Sequence, residues 1–236
     1  MGVIGGEWNK QLNEGKRFSN VQITKLATDF QREFLSKHTI DDFGEPIQTT
    51  TLSKLVYVNI GKNFTILNLT ERLSQLITEK QIDIENTIIL SQTADLLRDL
   101  DYEYRKKSIK NTRTTFIQYE EFHKLLNKHG IDDKTQLSKN YKFNNDLDAI
   151  EHQKKILFTM EGDVLKLSTI HSYKGWEAQN VILILEPEGR GAYCVSANFN
   201  SPEIIYTAIT RAKESLFVIN LGNTKYHSFF EKSIKN

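Results

Sequence analysis

An α/β domain built on a mostly parallel sheet is the fold class this sequence predicts, and three observations predict it. Short apolar, β-rich runs alternate with amphipathic helical stretches over most of the chain. Several of those runs are continuously apolar, as strands covered on both faces should be. The chain has 236 residues, 39% of them hydrophobic and only three of them proline, enough for one large domain or two small ones with a real core.

Taken in order, residues 1–15 carry scattered glycines without a period, which predicts a flexible tail or the remnant of an upstream connection, with the domain proper spanning 16–236. Ser19-Asn20-Val21-Gln22 has the spacing of a capping box, and Ile23, Leu26, Ala27, Phe30 and Phe34 then recur at helical intervals. A helix is expected there, with Arg17 just before its start. A turn follows around Gly44-Glu45-Pro46. Candidate strands are Leu55–Ile60, Thr87–Leu90, Thr114–Ile117, Val164–Ile170, Val181–Leu185 and Leu216–Ile219. Between them, Ile66, Leu69, Leu73, Leu76 and Ile77 mark one helical stripe, and Leu96, Leu97, Leu100 and Tyr104 another. The stretch from Gly130 to Asn145 is polar and aperiodic, so 119–158 is expected to hold a small irregular insertion. Near the end, Ser201 suits an N-cap, Pro202 the first helical position, and Ile205, Ala208, Ile209 and Ala212 a buried stripe. Arg211 would lie beside that stripe on one face with Thr207 and Ile204, able to reach into a cleft.

Composition excludes several classes. The longest apolar run, Val181–Leu185, is far shorter than the roughly 20 residues of a membrane span, and the first residues lack a signal-like core. One cysteine, Cys194, cannot form an internal disulfide, and the six histidines show no zinc-type spacing. A reducing, cytoplasmic setting without structural metal is expected. The net charge of +1 does not exclude nucleic acid, because a basic groove can be local. The basic run Arg105–Lys110, with Arg113 beyond it, reads either as phosphate contacts or as a solvated helix end.

Two stretches carry chemistry. The first is Thr169-Ile170-His171-Ser172-Tyr173-Lys174-Gly175-Trp176-Glu177, at a strand-to-helix junction. The second is Ile204-Ile205-Tyr206-Thr207-Ala208-Ile209-Thr210-Arg211-Ala212-Lys213, flanked by strands. No Gly-x-x-x-x-Gly-Lys-Ser/Thr loop occurs anywhere, so a phosphate cradle is missing. Gly61-Lys62 lacks the rest of such a loop. Val181–Glu188 imitates a strand ending in metal-binding carboxylates, but without that loop Glu186 is expected to be an exposed strand end.

Together the two stretches resemble signature motifs of the second motor domain of UvrD/Rep-type superfamily 1 DNA helicases. The resemblance implies a RecA-like, P-loop NTPase-like three-layer domain that lacks its own P-loop. It also implies that ATP and Mg2+ are bound mainly by a missing first RecA-like domain, present in cis or in trans. Arg211 would reach the γ-phosphate across the interdomain cleft. Arg17, in Lys16-Arg17-Phe18-Ser19, would be a second such arginine, although the aromatic and the arginine are inverted relative to the family pattern. Glu177 would accept a hydrogen bond from the ribose, with Gly175 the turn residue that lets backbone approach the nucleotide. Thr169, His171 and Ser172 would lie along single-stranded DNA. Trp176 replaces the more usual leucine; packing in the core is the expectation and stacking the alternative. Arginine suits the phosphate role because its fixed, always charged fork can hold two oxygens at once. Such a chain would be inactive alone. The rival readings are a non-catalytic DNA- or protein-binding remnant of a helicase and an unrelated doubly wound protein with a small ligand at its strand ends.

Overall fold

A computed structural model describes residues 17–35, 55–108, 111–132, 137, 139–188 and 201–234, with residues 17–24 as backbone alone. The tail, the turn at 44–46 and Cys194 lie outside the described residues. The described elements are helix α1 (Arg17–Phe34), strand β1 (Leu55–Asn59), α2 (Ile66–Glu79), β2 (Thr87–Ser91), α3 (Ala94–Ser108) and β3 (Thr112–Thr114). Then come α4 (Tyr119–Lys128), α5 (Tyr141–Ile156), β4 (Leu165–Thr169), β5 (Ala178–Leu185), α6 (Pro202–Ile209), β6 (Ala212–Asn220) and α7 (His227–Ser233).

The six strands form one sheet in the order β1-β6-β5-β2-β4-β3. Every described pairing is parallel. The central runs alternate their side chains between two apolar layers, which is why they read as continuously apolar. Ile88, Leu90, Val181, Leu183, Leu216 and Val218 meet Leu26 and Phe30 of α1, Ile205 and Ile209 of α6, and Phe230 of α7. On the other face Ile89, Ile182, Ile184, Phe217 and Ile219 meet Leu69 and Leu73 of α2 and Leu97 and Leu100 of α3. Each such side chain, fully buried, contributes about 1.5–3 kcal/mol. The result is the expected α/β three-layer fold, consistent with a RecA-like domain.

Local signals explain the element ends. The Thr65 hydroxyl accepts from the Asn68 amide at 3.1 Å and starts α2. Asn140 does the same for α5, accepting from the Phe143 amide at 3.1 Å. Pro202 occupies the first turn of α6, where its missing N–H costs nothing.

Several expectations are corrected. Helix α1 begins at Arg17 rather than after it; nothing in Arg17-Phe18 breaks a helix, so the chain continues helical through Ser19 instead of being capped there. Strand β3 is Thr112–Thr114, not Thr114–Ile117. Its ladder ends as the Thr115 amide donates to the Leu167 carbonyl at 3.3 Å. Phe116 and Ile117 then leave the sheet for two different apolar clusters.

Much of 119–158, expected to be irregular, is helical. Helices α4 and α5 enclose a third cluster of Ile117, Phe122, Leu125, Leu126 and Phe143. Helix α5 was hidden because Phe143 is its one buried residue. Arg98 ties this unit to the sheet layer: its guanidinium lies 3.9 Å from the Phe122 ring centroid, and its Nε donates to the Ile117 carbonyl at 3.0 Å.

Between β4 and β5 the chain makes a short return. Thr169 is level with Ser91 at the carboxyl end of β2, whereas Asn180 is level with Thr87 at its amino end. Residues 170–177 therefore run back from one end of the sheet to the other. They cross on the α1/α6 side, where Ile170 and Tyr173 are buried.

Candidate functional site

The return segment is held turn by turn. The Ile170 amide donates to the Ser91 carbonyl at 2.9 Å, Tyr173 to Thr169 at 3.0 Å, and Trp176 to Tyr173 at 3.1 Å. Tyr173 is fully buried, and its hydroxyl donates to Met160 Sδ at 3.4 Å. Burial pushes the Tyr173 phenol well up, with Arg211 nearby opposing the shift and Glu177 adding to it. Gly175 has φ of +95°, the left-handed region that glycine adopts without strain, and a side chain there would meet nothing within 4 Å. The need for glycine is thus one of backbone geometry.

At the carboxyl end of β4, Thr169 and Ser172 form a small closed unit. Thr169 Oγ1 donates to Ser172 Oγ at 2.9 Å and accepts from the Ser172 amide at 3.2 Å. His171 is exposed beside them. Next to this end, Thr115 Oγ1 and Ser168 Oγ share a buried hydrogen bond of 2.8 Å.

At the other end of the return, the residues on either side of Glu177 bond to Arg211. The Ala178 amide donates to the Arg211 carbonyl at 3.0 Å, and Arg211 Nη1 donates to the Trp176 carbonyl at 3.3 Å. Arg211 is not on a helix face as the sequence pattern suggests. Helix α6 ends at Ile209, Arg211 occupies the turn that follows, and Ala212 opens β6. Its half-buried guanidinium folds back over the helix end, Nε donating to the Thr207 carbonyl at 3.1 Å and Nη2 to Thr210 Oγ1 at 3.1 Å. A cation there satisfies carbonyls that the last turn leaves unpaired. Glu177 forms an ion pair with Lys213, Oε2 to Nζ 3.2 Å.

The sequence-predicted residues thus fall into two groups at opposite ends of one short segment. Glu177, Gly175 and Arg211 gather at the amino end of β5; Thr169, His171 and Ser172 gather at the carboxyl end of β4. Arg17 lies at the first position of α1, and its side chain is outside the described residues.

Two further residues differ from expectation. Trp176 is 43% exposed rather than packed in the core. Its ring lies roughly parallel to Tyr173, 6.5 Å between centroids, and edge-on to Phe158 at 5.9 Å. Glu186, expected as an exposed strand end, is 2% exposed. Its carboxylate accepts from Ser91 Oγ at 2.8 Å, from the Thr93 amide at 2.8 Å and from Thr93 Oγ1 at 2.8 and 2.9 Å. Those donors sit more than ninety positions away in sequence, so the pattern around Val181–Glu188 could not announce them.

Among the described residues, no group of three or more His, Cys, Asp and Glu side chains converges as a metal site, and no helix is long and apolar enough to cross a membrane. No family model matches the chain, and no curated protein matches it. One solved structure with a similar chain course is described as the C-terminal domain of a possible DNA helicase from Lactobacillus plantarum WCFS1. It is 12% identical, with 86% of this chain and 85% of that one covered and a TM-score of 0.42. A likeness of that degree leaves function to be argued from this chain's own residues.

Proposed function

We propose that this chain is the C-terminal motor domain of an ATP-dependent superfamily 1 DNA helicase or translocase, completing an ATP site whose phosphate cradle belongs to a first RecA-like domain. The observation that carries the reading is the junction at Trp176–Ala178. There a main-chain bond from the Ala178 amide to the Arg211 carbonyl and a bond from the Arg211 guanidinium to the Trp176 carbonyl join the Arg211 turn to the segment bearing Glu177, so an always charged guanidinium and a carboxylate flank one corner of the sheet. ATP with Mg2+ would supply the transferred phosphoryl group and the cation that neutralises it. For its part, Arg211 offers donors to phosphate oxygens and Glu177 an acceptor for a sugar hydroxyl. To reach outward, the guanidinium exchanges its bonds to Thr207, Thr210 and Trp176, all neutral acceptors, for bonds to anionic phosphate oxygens, in which both partners are charged. The opposite group, Thr169, His171 and Ser172, offers hydroxyls and an imidazole to the backbone of single-stranded DNA.

ATP hydrolysis with the first motor domain supplied in cis or in trans tests this. The chain alone is expected to turn over no ATP. With the missing domain present, turnover stimulated by single-stranded DNA should fall about 10³-fold or more in Arg211→Ala, with DNA binding unchanged. Retained turnover in that variant refutes the arginine assignment.

A second reading, a binding module without an ATP cycle, is favoured by one observation: Arg211 is already engaged by three acceptors of its own domain. It requires that no first domain restores turnover and that DNA or partner binding ignores Arg211→Ala.

A further inference from the structure

We infer that Trp176 is a stacking platform for a nucleobase, an inference that rests on the nucleic-acid and nucleotide reading above. A tryptophan left 43% exposed presents a large apolar surface to water. This one is also fixed. Tyr173, itself fully buried, lies 6.5 Å away and 29° from parallel, and Phe158, 5% exposed, meets the ring edge-on at 5.9 Å. Both main-chain polar groups of Trp176 are committed as well, the amide to the Tyr173 carbonyl and the carbonyl to Arg211 Nη1. The ring's orientation is thus set by its packing on Tyr173 and Phe158 before a flat partner arrives, which is what a preformed recognition surface requires.

The neighbours match the rest of a nucleotide. Lys174 is exposed two positions before the ring, Arg211 bonds to its carbonyl, and Lys213 stands on the adjacent Glu177 at 3.2 Å. Cations for phosphate, a carboxylate for a sugar hydroxyl and an indole for the base therefore adjoin where the segment 174–177 meets the Arg211–Lys213 stretch. Stacking tolerates every base, because each has a π face. The base can come from a mononucleotide or from single-stranded DNA; the shared chemistry is the same.

The test uses the full chain carrying Trp8→Phe, which leaves Trp176 the sole tryptophan of the two in the sequence. Its fluorescence is titrated with AMP and, separately, with oligo(dT), after correction for absorbance. Saturable quenching by either probe is expected, and which one quenches identifies the source of the base. Trp176→Leu should weaken that probe about 5- to 100-fold, and Trp176→Phe should retain most of the affinity. Binding without any change in fluorescence, and unaltered in Trp176→Leu, overturns the stacking role and leaves the proposed function standing. Failure of both probes to bind also overturns the stacking role, while the proposed function is decided separately by turnover with the first motor domain added. Because the quenching readout keeps Trp176 intact, it does not depend on the folding of the leucine variant.

Discussion

Strand β5 is bracketed by two glutamates that the chain treats in opposite ways. Glu177, just before it, keeps 28% of its side chain exposed and faces one flexible lysine. Glu186, just after it, is 2% exposed and gathers the Ser91 hydroxyl at the end of β2 and the Thr93 hydroxyl and amide just before α3. The first is left available for an outside ligand, and the second is consumed holding β2, β5 and α3 in register. A carboxylate at a strand end carries no function by position alone. What decides is whether the fold has already supplied its donors.

Removing Glu186 should produce the largest loss. Glu186→Leu strands the Ser91 and Thr93 donors, although Ser91 Oγ keeps a second acceptor in the Ile184 carbonyl at 3.2 Å. A loss of about 2–4 kcal/mol in urea unfolding is expected, and about 1–2 kcal/mol for Glu186→Gln, which keeps the shape and one acceptor. A loss below about 1 kcal/mol for the leucine variant would break the contrast, since Glu186 would then be as dispensable as Glu177.

Asp101 sharpens the comparison, being fully buried yet facing a cation. It accepts from Thr112 Oγ1 and, at 3.0 Å, from Arg105 Nε. Burial raises its carboxyl above the ordinary 3.8, more than the Thr112 bond and Arg105 lower it. The folded state therefore holds this proton to higher pH than the unfolded chain does. Stability from this group falls as pH rises from about 3.8 through the raised value, and stays at its lower level above it. Urea midpoints across that range, wild type minus Asp101→Asn, should slope downward and then level off. A flat difference would mean that Arg105 offsets the burial completely.

The smallest effect belongs to the exposed pair. Lys213→Met should change stability by less than about 1 kcal/mol, because half-exposed ion pairs contribute little. A larger loss in thermal or urea unfolding would show that Glu177 is structurally committed after all.

These contrasts also show what the sequence made legible. Strands β2, β5 and the later part of β6 announce themselves as continuously apolar because they are buried on both faces, whereas β4 shows itself by the two-residue alternation of Leu165 and Leu167 with Lys166 and Ser168. Strand β3 sits at the sheet edge, paired through Thr112-Arg113-Thr114, while the apolar Phe116 and Ile117 that draw the eye serve the helices. The stripe assigned to α6 runs one turn too far, since Ala212 is buried as a strand residue and an apolar side chain does not declare its backbone. The two motif stretches were readable as sequence, but the seating of the Glu177 segment against the Arg211 turn was not. It depends on β5 and β6 lying side by side, with Ala178 paired to Ala212. The burial of Glu186 likewise follows from contacts between distant segments.

The return from β4 to β5 has a mechanical consequence. Eight residues, 170–177, recover the height of a strand, with main-chain bonds to Ser91, Thr169 and Tyr173 and the Arg211 guanidinium on the Trp176 carbonyl along the way. Such a connection, wound in turns and bonded to its own preceding residues, ties Thr169 and Glu177 into one continuous piece of structure, so the two ends of the sheet share a single local support.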